Sequence, residues 1–136
     1  MAAALLGARR RGHELPERID GRDLVVTGVA THKLSRLIAK DKITAFARAP
    51  FTEYEQPGAP AEVEESARGD GIRRTIGELL VCPYCLGMWI SGGFHVGLVV
   101  APRTTRFAAS VLTGLTISDF LQIAYKAADD RGLGGR

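Results

Sequence analysis

Cys82 and Cys85 are the cysteines of this chain, and they stand as C-x-x-C in the stretch ELLVCPYCLGMW. That spacing suits three uses. A dithiol at a helix start is one, because the helix dipole favours the thiolate. Half of a structural zinc site is another, since four ligands are needed and C-x-x-C supplies two. The third is plain packing of two small, polarizable side chains. CPYC is also the active-site spelling of glutaredoxins, but that fold requires a strand before the motif and a βαβ setting. Here the motif opens a Gly-rich apolar segment with no strand pattern after it.

Further zinc ligands would have to come from His13, His32, His95, Asp41, Glu78 or a second chain. His95 lies some three helical turns beyond the motif and cannot reach Cys82 along one straight helix. A homodimer or larger membrane assembly could supply four thiolates, two from each chain. His95 and Asp119 are the ionisable groups within the two most apolar segments, where such groups are candidates for function. Lys33 and Arg36 are the natural partners for Asp119, in a pairing that would dock the first helix on the others.

The elements that must position these groups follow from how charge is distributed. The chain has 136 residues, enough for one core, and a formal net charge of +3. Residues 79–101 carry no Asp, Glu, Lys or Arg, and residues 107–125 carry only Asp119. The basic residues are scattered, without the aromatic interleaving of a nucleic-acid surface, so no nucleic-acid partner is expected. MAAALLGARRR has its apolar part before its arginines, the reverse of a secretory signal.

The first element, residues 23–40, repeats Leu24, Val25, Val29, Leu34 and Leu37 at helical spacing, with a basic stripe of Lys33, Arg36 and Lys40. The connector that follows, with residues 50–74 rich in Pro, Gly and Glu, reads as a mobile loop whose acidic residues form a solvated face. Pro83 suits the first turn of a helix, with Cys82 at its N-cap. From Pro83 to Ala101 such a helix rises about 28 Å, close to the roughly 30 Å of a bilayer core. Pro102 ends it, PRTTR makes a polar turn, and a second apolar helix returns over 107–127. Tyr84, Trp89 and Tyr125 then fall on one side as an aromatic belt. Gly93 and Gly97 on one helix, and Ser110, Gly114 and Ser118 on the other, offer small faces for close approach.

The expectation is an all-α protein. A helical membrane hairpin, residues 79–101 and 107–127, is joined by an amphipathic N-terminal helix and a flexible acidic connector. Residues 1–22 and 128–136 are flexible tails, and residues 23–127 form one helical membrane domain. The partner is a lipid bilayer in the cell membrane. Lys40, Lys42, Arg48, Arg73, Arg74, Lys126 and Arg131 place the connector and C-terminus in the cytoplasm.

ATHKLSRLIAKDKITAFARAPF, followed by RGDGIRRTIGELLVCPYCLGMWISG, resembles the bacterial domain-of-unknown-function family 1360. The matching positions are Arg36, Asp41, Lys42, Arg48, Gly77, Glu78, Cys82, Pro83, Cys85, Gly87 and Trp89, within roughly residues 24–125. The resemblance implies a small membrane-associated bacterial protein. It also implies a rim cluster of Arg36, Asp41, Arg48 and Glu78 near the cysteines, and it supplies no reaction. No nucleophile–base pair, phosphate loop or catalytic carboxylate pair stands out. The function expected is therefore a non-enzymatic accessory or interaction protein without a cofactor. The alternative is a membrane-associated thiol site at Cys82 and Cys85, binding zinc or cycling between redox states.

Overall fold

The structure is a computed structural model that describes residues 6–7, 12 and 15–133. Half of the tail expected over residues 1–22, His13 included, and residues 134–136 lie outside them.

Helix α1, Gly21–Ala39, starts where Asp20 accepts a hydrogen bond from the Arg22 amide at 2.7 Å. The amides of Lys40 and Asp41 both turn back to the Arg36 carbonyl and end it. Asp41 then caps a 3-10 turn, Lys42–Thr44, by accepting from the Ile43 amide at 3.1 Å, and the short helix α2, Ala45–Arg48, follows.

The connector is not a loop. It carries two antiparallel strands, β1 (Thr52–Pro57) and β2 (Val63–Ala67), so the fold is mainly helical and not all-α. Thr52 pairs with Ala67, Glu53 with Ser66 and Tyr54 with Glu65. A bulge at Glu55 then shifts the pairing to Gln56 with Glu64. The turn closes through Gly58 and Ala59, with Ala61 at a φ of 67°. Two backbone bonds of 2.9 Å, Lys42 N to Ala61 O and Val63 N to Lys40 O, sew the hairpin to the end of α1.

Helix α3, Gly71–Leu80, packs on β2 through Gly77. A methyl group on Gly77 would run into the Phe51 carbonyl and would sit 3.0 Å from the Ala67 Cβ. The chain breaks its helix at Val81 and Cys82, so the single segment expected from residue 79 is two helices. The break has a local cause, because Cys82 is extended and Pro83 opens α4, Pro83–Val100. Only Ala101 separates α4 from α5, Pro102–Leu133. PRTTR is thus the first turn and a half of a helix, which Pro102 favours as its first residue. Helix α5 runs on past Ala127, where the second apolar helix was expected to end.

The three long helices form one bundle. Helix α1 lies between α4 and α5 and touches each more extensively than they touch each other. It runs parallel to α5: Arg106 meets Asp23 at one end and Lys33 meets Asp119 toward the other. Between them the Thr113 hydroxyl donates to the Val26 carbonyl at 3.0 Å. Small residues do line the helix contacts, and of those the hairpin was expected to use Gly97 is among them: a methyl group there would sit 2.6 Å from the Thr105 hydroxyl of α5. Gly93 and Gly114 face open space, while Thr27, Ala30 and Ser35 of α1 are buried with Ala109 and Thr116 of α5. Large apolar side chains point outward instead, among them Met88, Trp89, Phe107, Ile117, Leu121 and Ile123.

Candidate functional site

At the end of the bundle where α1 stops, the basic stripe meets the acidic strand. Arg36 grips Glu62 through three hydrogen bonds of 2.6–3.0 Å, and Lys40 Nζ reaches Glu64 at 2.6 Å. Arg48 is 2% exposed, and its Nε donates to Glu65 at 2.6 Å. Its other nitrogens donate to the Ile38 carbonyl and the Thr44 hydroxyl, each at 2.6 Å, and to the Asp41 carbonyl at 3.2 Å. Arg48 therefore satisfies a carbonyl left open in the last turn of α1 while neutralising a buried carboxylate. The Thr44 hydroxyl bonds the neighbouring Leu37 carbonyl.

Of the expected rim cluster, Arg36, Asp41 and Arg48 do come together. Glu78 turns instead to Arg74 of its own helix at 3.0 Å, on an exposed face. The residues that complete the rim are Glu62, Glu64 and Glu65, which charge patterning alone assigned to a solvated face. Their pairing with a basic stripe of matching spacing was the available signal.

Lys33 Nζ donates to Asp119 at 2.6 Å, the docking contact suggested by the sequence. His95 makes no hydrogen bond to that pair. Its Nδ1 bonds the Ser91 carbonyl within α4 at 2.7 Å, so one ring nitrogen is already engaged. At the opposite end, Arg106 holds Asp23 through three hydrogen bonds of 2.7–3.1 Å. Those bonds keep the Asp23 carboxyl below the usual carboxylate range. Asp23 lies in the first turn of α1, outside the two apolar helices.

Cys82 caps α4 as expected, its sulfur accepting from the Cys85 amide at 3.2 Å. The two cysteines are joined as a disulfide, with Cα atoms 5.3 Å apart. None of the rim side chains bonds to them. Among the described residues, no group of three or more His, Cys, Asp or Glu side chains is arranged to hold a metal ion.

A cleft of about 470 Å³ opens beside the rim, between α1, α5 and the hairpin turn. Lys33, Arg36 and Lys126 supply its cations, and Leu37, Phe120 and Ile123 its apolar wall. Spacing within one element could not have revealed it, because the hairpin turn forms one side.

Residues 26–125 match a family of proteins of unknown function, DUF1360, and the chain belongs to that family. Over 97 residues it is 33% identical to the "Sporulation protein YjcA" of Bacillus subtilis (strain 168), covering 69% of this chain and 82% of that protein. No solved structure matches it.

Two helices are long and apolar enough to cross a membrane, Pro83–Val100 and the Pro102–Gly132 stretch of α5.

Proposed function

We propose that the chain is a membrane-embedded, non-enzymatic accessory or interaction protein, with its rim and C-terminal end at the cytoplasmic face. One observation carries this reading: only 6% and 11% of the two apolar windows are buried within the fold. The core helix of a water-soluble protein hides its apolar face. These helices instead turn most large apolar side chains outward, and apart from Leu86 the residues they bury are small or hydroxylated, Gly92 of α4 and Ala109 and Thr116 of α5, the arrangement suited to lipid. Helix α3 fits the same reading. Ile72, Ile76 and Leu79 make one exposed apolar stripe, with Arg73 and Arg74 beside it, as on helices that lie in a membrane interface.

The charged pairs limit how deep each end can lie. Asp23 and Lys33 are ten positions apart on α1, about 15 Å along a helix. That is less than the roughly 30 Å hydrocarbon core, so Lys33 and Arg106 extend toward the interfaces and the bilayer thins around the bundle. An ion pair, not a lone charge, at Asp119 suits that depth.

The test is alkaline carbonate washing of membranes from cells that make the full chain. Retention in the pellet is expected. Release into the supernatant would contradict the proposal.

A second reading is favoured by the disulfide at the N-cap of α4, where Cys85 is exposed. In it, a partner dithiol reduces the Cys82–Cys85 bond by exchange and is itself oxidised to a disulfide. The two freed thiols are then available for redox cycling, or for zinc shared between two chains. Thiol titration before and after a dithiol reductant, with zinc content measured on the reduced protein, tests it.

A further inference from the structure

The cleft beside the rim has more hydrogen-bond donors than its own acids use. Asp119 is held by Lys33, Glu62 by Arg36, and Asp41 by the Ile43 amide. Among the described residues Lys33 has one bond for three ammonium protons, and the Nη1 of Arg36 is not engaged. Lys126 lies two turns beyond Asp119 on α5, about 10 Å toward the rim. Among the described residues it makes no ion pair, and the His32 side chain makes no hydrogen bond. Four cationic or N–H groups thus face one opening with bonding capacity left over.

The other wall is apolar and leads outward. Phe120 and Ile123 line the cleft, yet they are 64% and 63% exposed, so their surface continues from the cleft onto the outer face of α5. A ligand that satisfies both walls has an anionic head and a hydrocarbon tail. A soluble anion would leave the apolar track uncovered. A wholly apolar ligand would leave the donors desolvated and unpaired. We propose that the cleft binds an anionic phospholipid, its phosphate among Lys33, Arg36, Lys126 and His32 and one acyl chain along Phe120 and Ile123. The proposal rests on the membrane reading, because that reading puts the cleft at headgroup depth.

The experiment starts from the full chain purified in a non-ionic detergent, after carbonate washing of the membranes has been scored. It is mixed with equal amounts of phosphatidylglycerol and phosphatidylcholine, and retained lipid is counted by native mass spectrometry. Wild type is expected to keep the anionic lipid over the zwitterionic one by about fivefold. The double variant Lys126→Glu, His32→Gln is expected to lose that preference while keeping the wild-type helix content, because among the described residues neither side chain makes a hydrogen bond or an ion pair. Glycerol phosphate, the head without its chains, is expected not to displace the lipid. Equal retention of the two lipids by wild type would overturn the proposal, as would a preference that survives in the double variant. Complete displacement by glycerol phosphate would also overturn it, since the site would then be one for a soluble phosphate. Release by carbonate is read before any lipid is added, so failure of the membrane reading is not confused with failure of the cleft.

Discussion

Arg48 illustrates what a single side chain does in this molecule. It is buried, and it bonds the end of α1, the 3-10 turn and β2 at once. Removing it leaves the Glu65 carboxylate buried without a partner and the Ile38 carbonyl open. Breaking such a pair costs about 3–5 kcal/mol. Arg48→Ala is expected to lower stability by that order in detergent-solubilised protein followed by thermal or denaturant unfolding. Glu65→Gln, which keeps a hydrogen-bond acceptor at the same place, is expected to cost less. A loss under about 1 kcal/mol for Arg48→Ala, the size of an exposed pair, would show that its partners are satisfied without it. The sequence identified Arg48 through a family likeness, not through its surroundings. Its partners Ile38 and Glu65 stand 10 and 17 positions away, and no local pattern joins them.

Among the elements, helical spacing and charge-free runs were dependable signals, and the Pro, Gly and Glu content of the connector was the misleading one. Helix α1 and the two apolar helices follow from spacing and from runs without charge. Cys82 as a cap follows from Pro83. The β-hairpin was hidden because Pro, Gly and Glu in succession describe a loop equally well. What orders it is pairing with a distant basic stripe, across 26 positions for Arg36–Glu62 and 24 for Lys40–Glu64. The small residues of α4 and α5 misled for a related reason. They suggested a hairpin packed closely along its length, whereas the close approach of Gly97 to Thr105 lies beside the turn and α1 occupies the groove beyond it with its own small face.

The Lys33–Asp119 bond tests that docking. In Lys33→Met the carboxylate loses its cation, and thermal stability in detergent is expected to fall. Asp119→Asn in the same background removes the unpaired charge and is expected to restore part of it. The double-mutant cycle should return a coupling of about 0.5–3 kcal/mol. Additive effects would mean that the two side chains do not meet, and that α1 docks by its small residues alone.

The whole molecule has an inside-out distribution of residues. Water-facing proteins put their large apolar side chains in and their hydroxyls out. Here Thr27, Thr116, Ser35 and Arg48 are buried while Trp89, Phe107, Phe120 and Leu121 face outward. Charge is kept toward the two ends, and the Lys33–Asp119 pair on the rim side opens on the cleft. The sequence already held this segregation in its charge-free runs. It did not show how the first helix fits between the others, nor that the rim is built from a strand. The distribution makes sense in a bilayer whose headgroups meet the rim at one side and the Asp23–Arg106 pair at the other.

Trp89 is the single tryptophan of the chain, so its fluorescence reports one depth without any substitution. The decisive measurement is quenching of that emission in vesicles made with lipids brominated at different acyl positions, alongside iodide added in water. The account predicts strong quenching by bromines close to the headgroup, weaker quenching by bromines near the chain ends, and little effect of iodide. Full quenching by iodide with none from any brominated lipid would put Trp89 in water and contradict the membrane assignment.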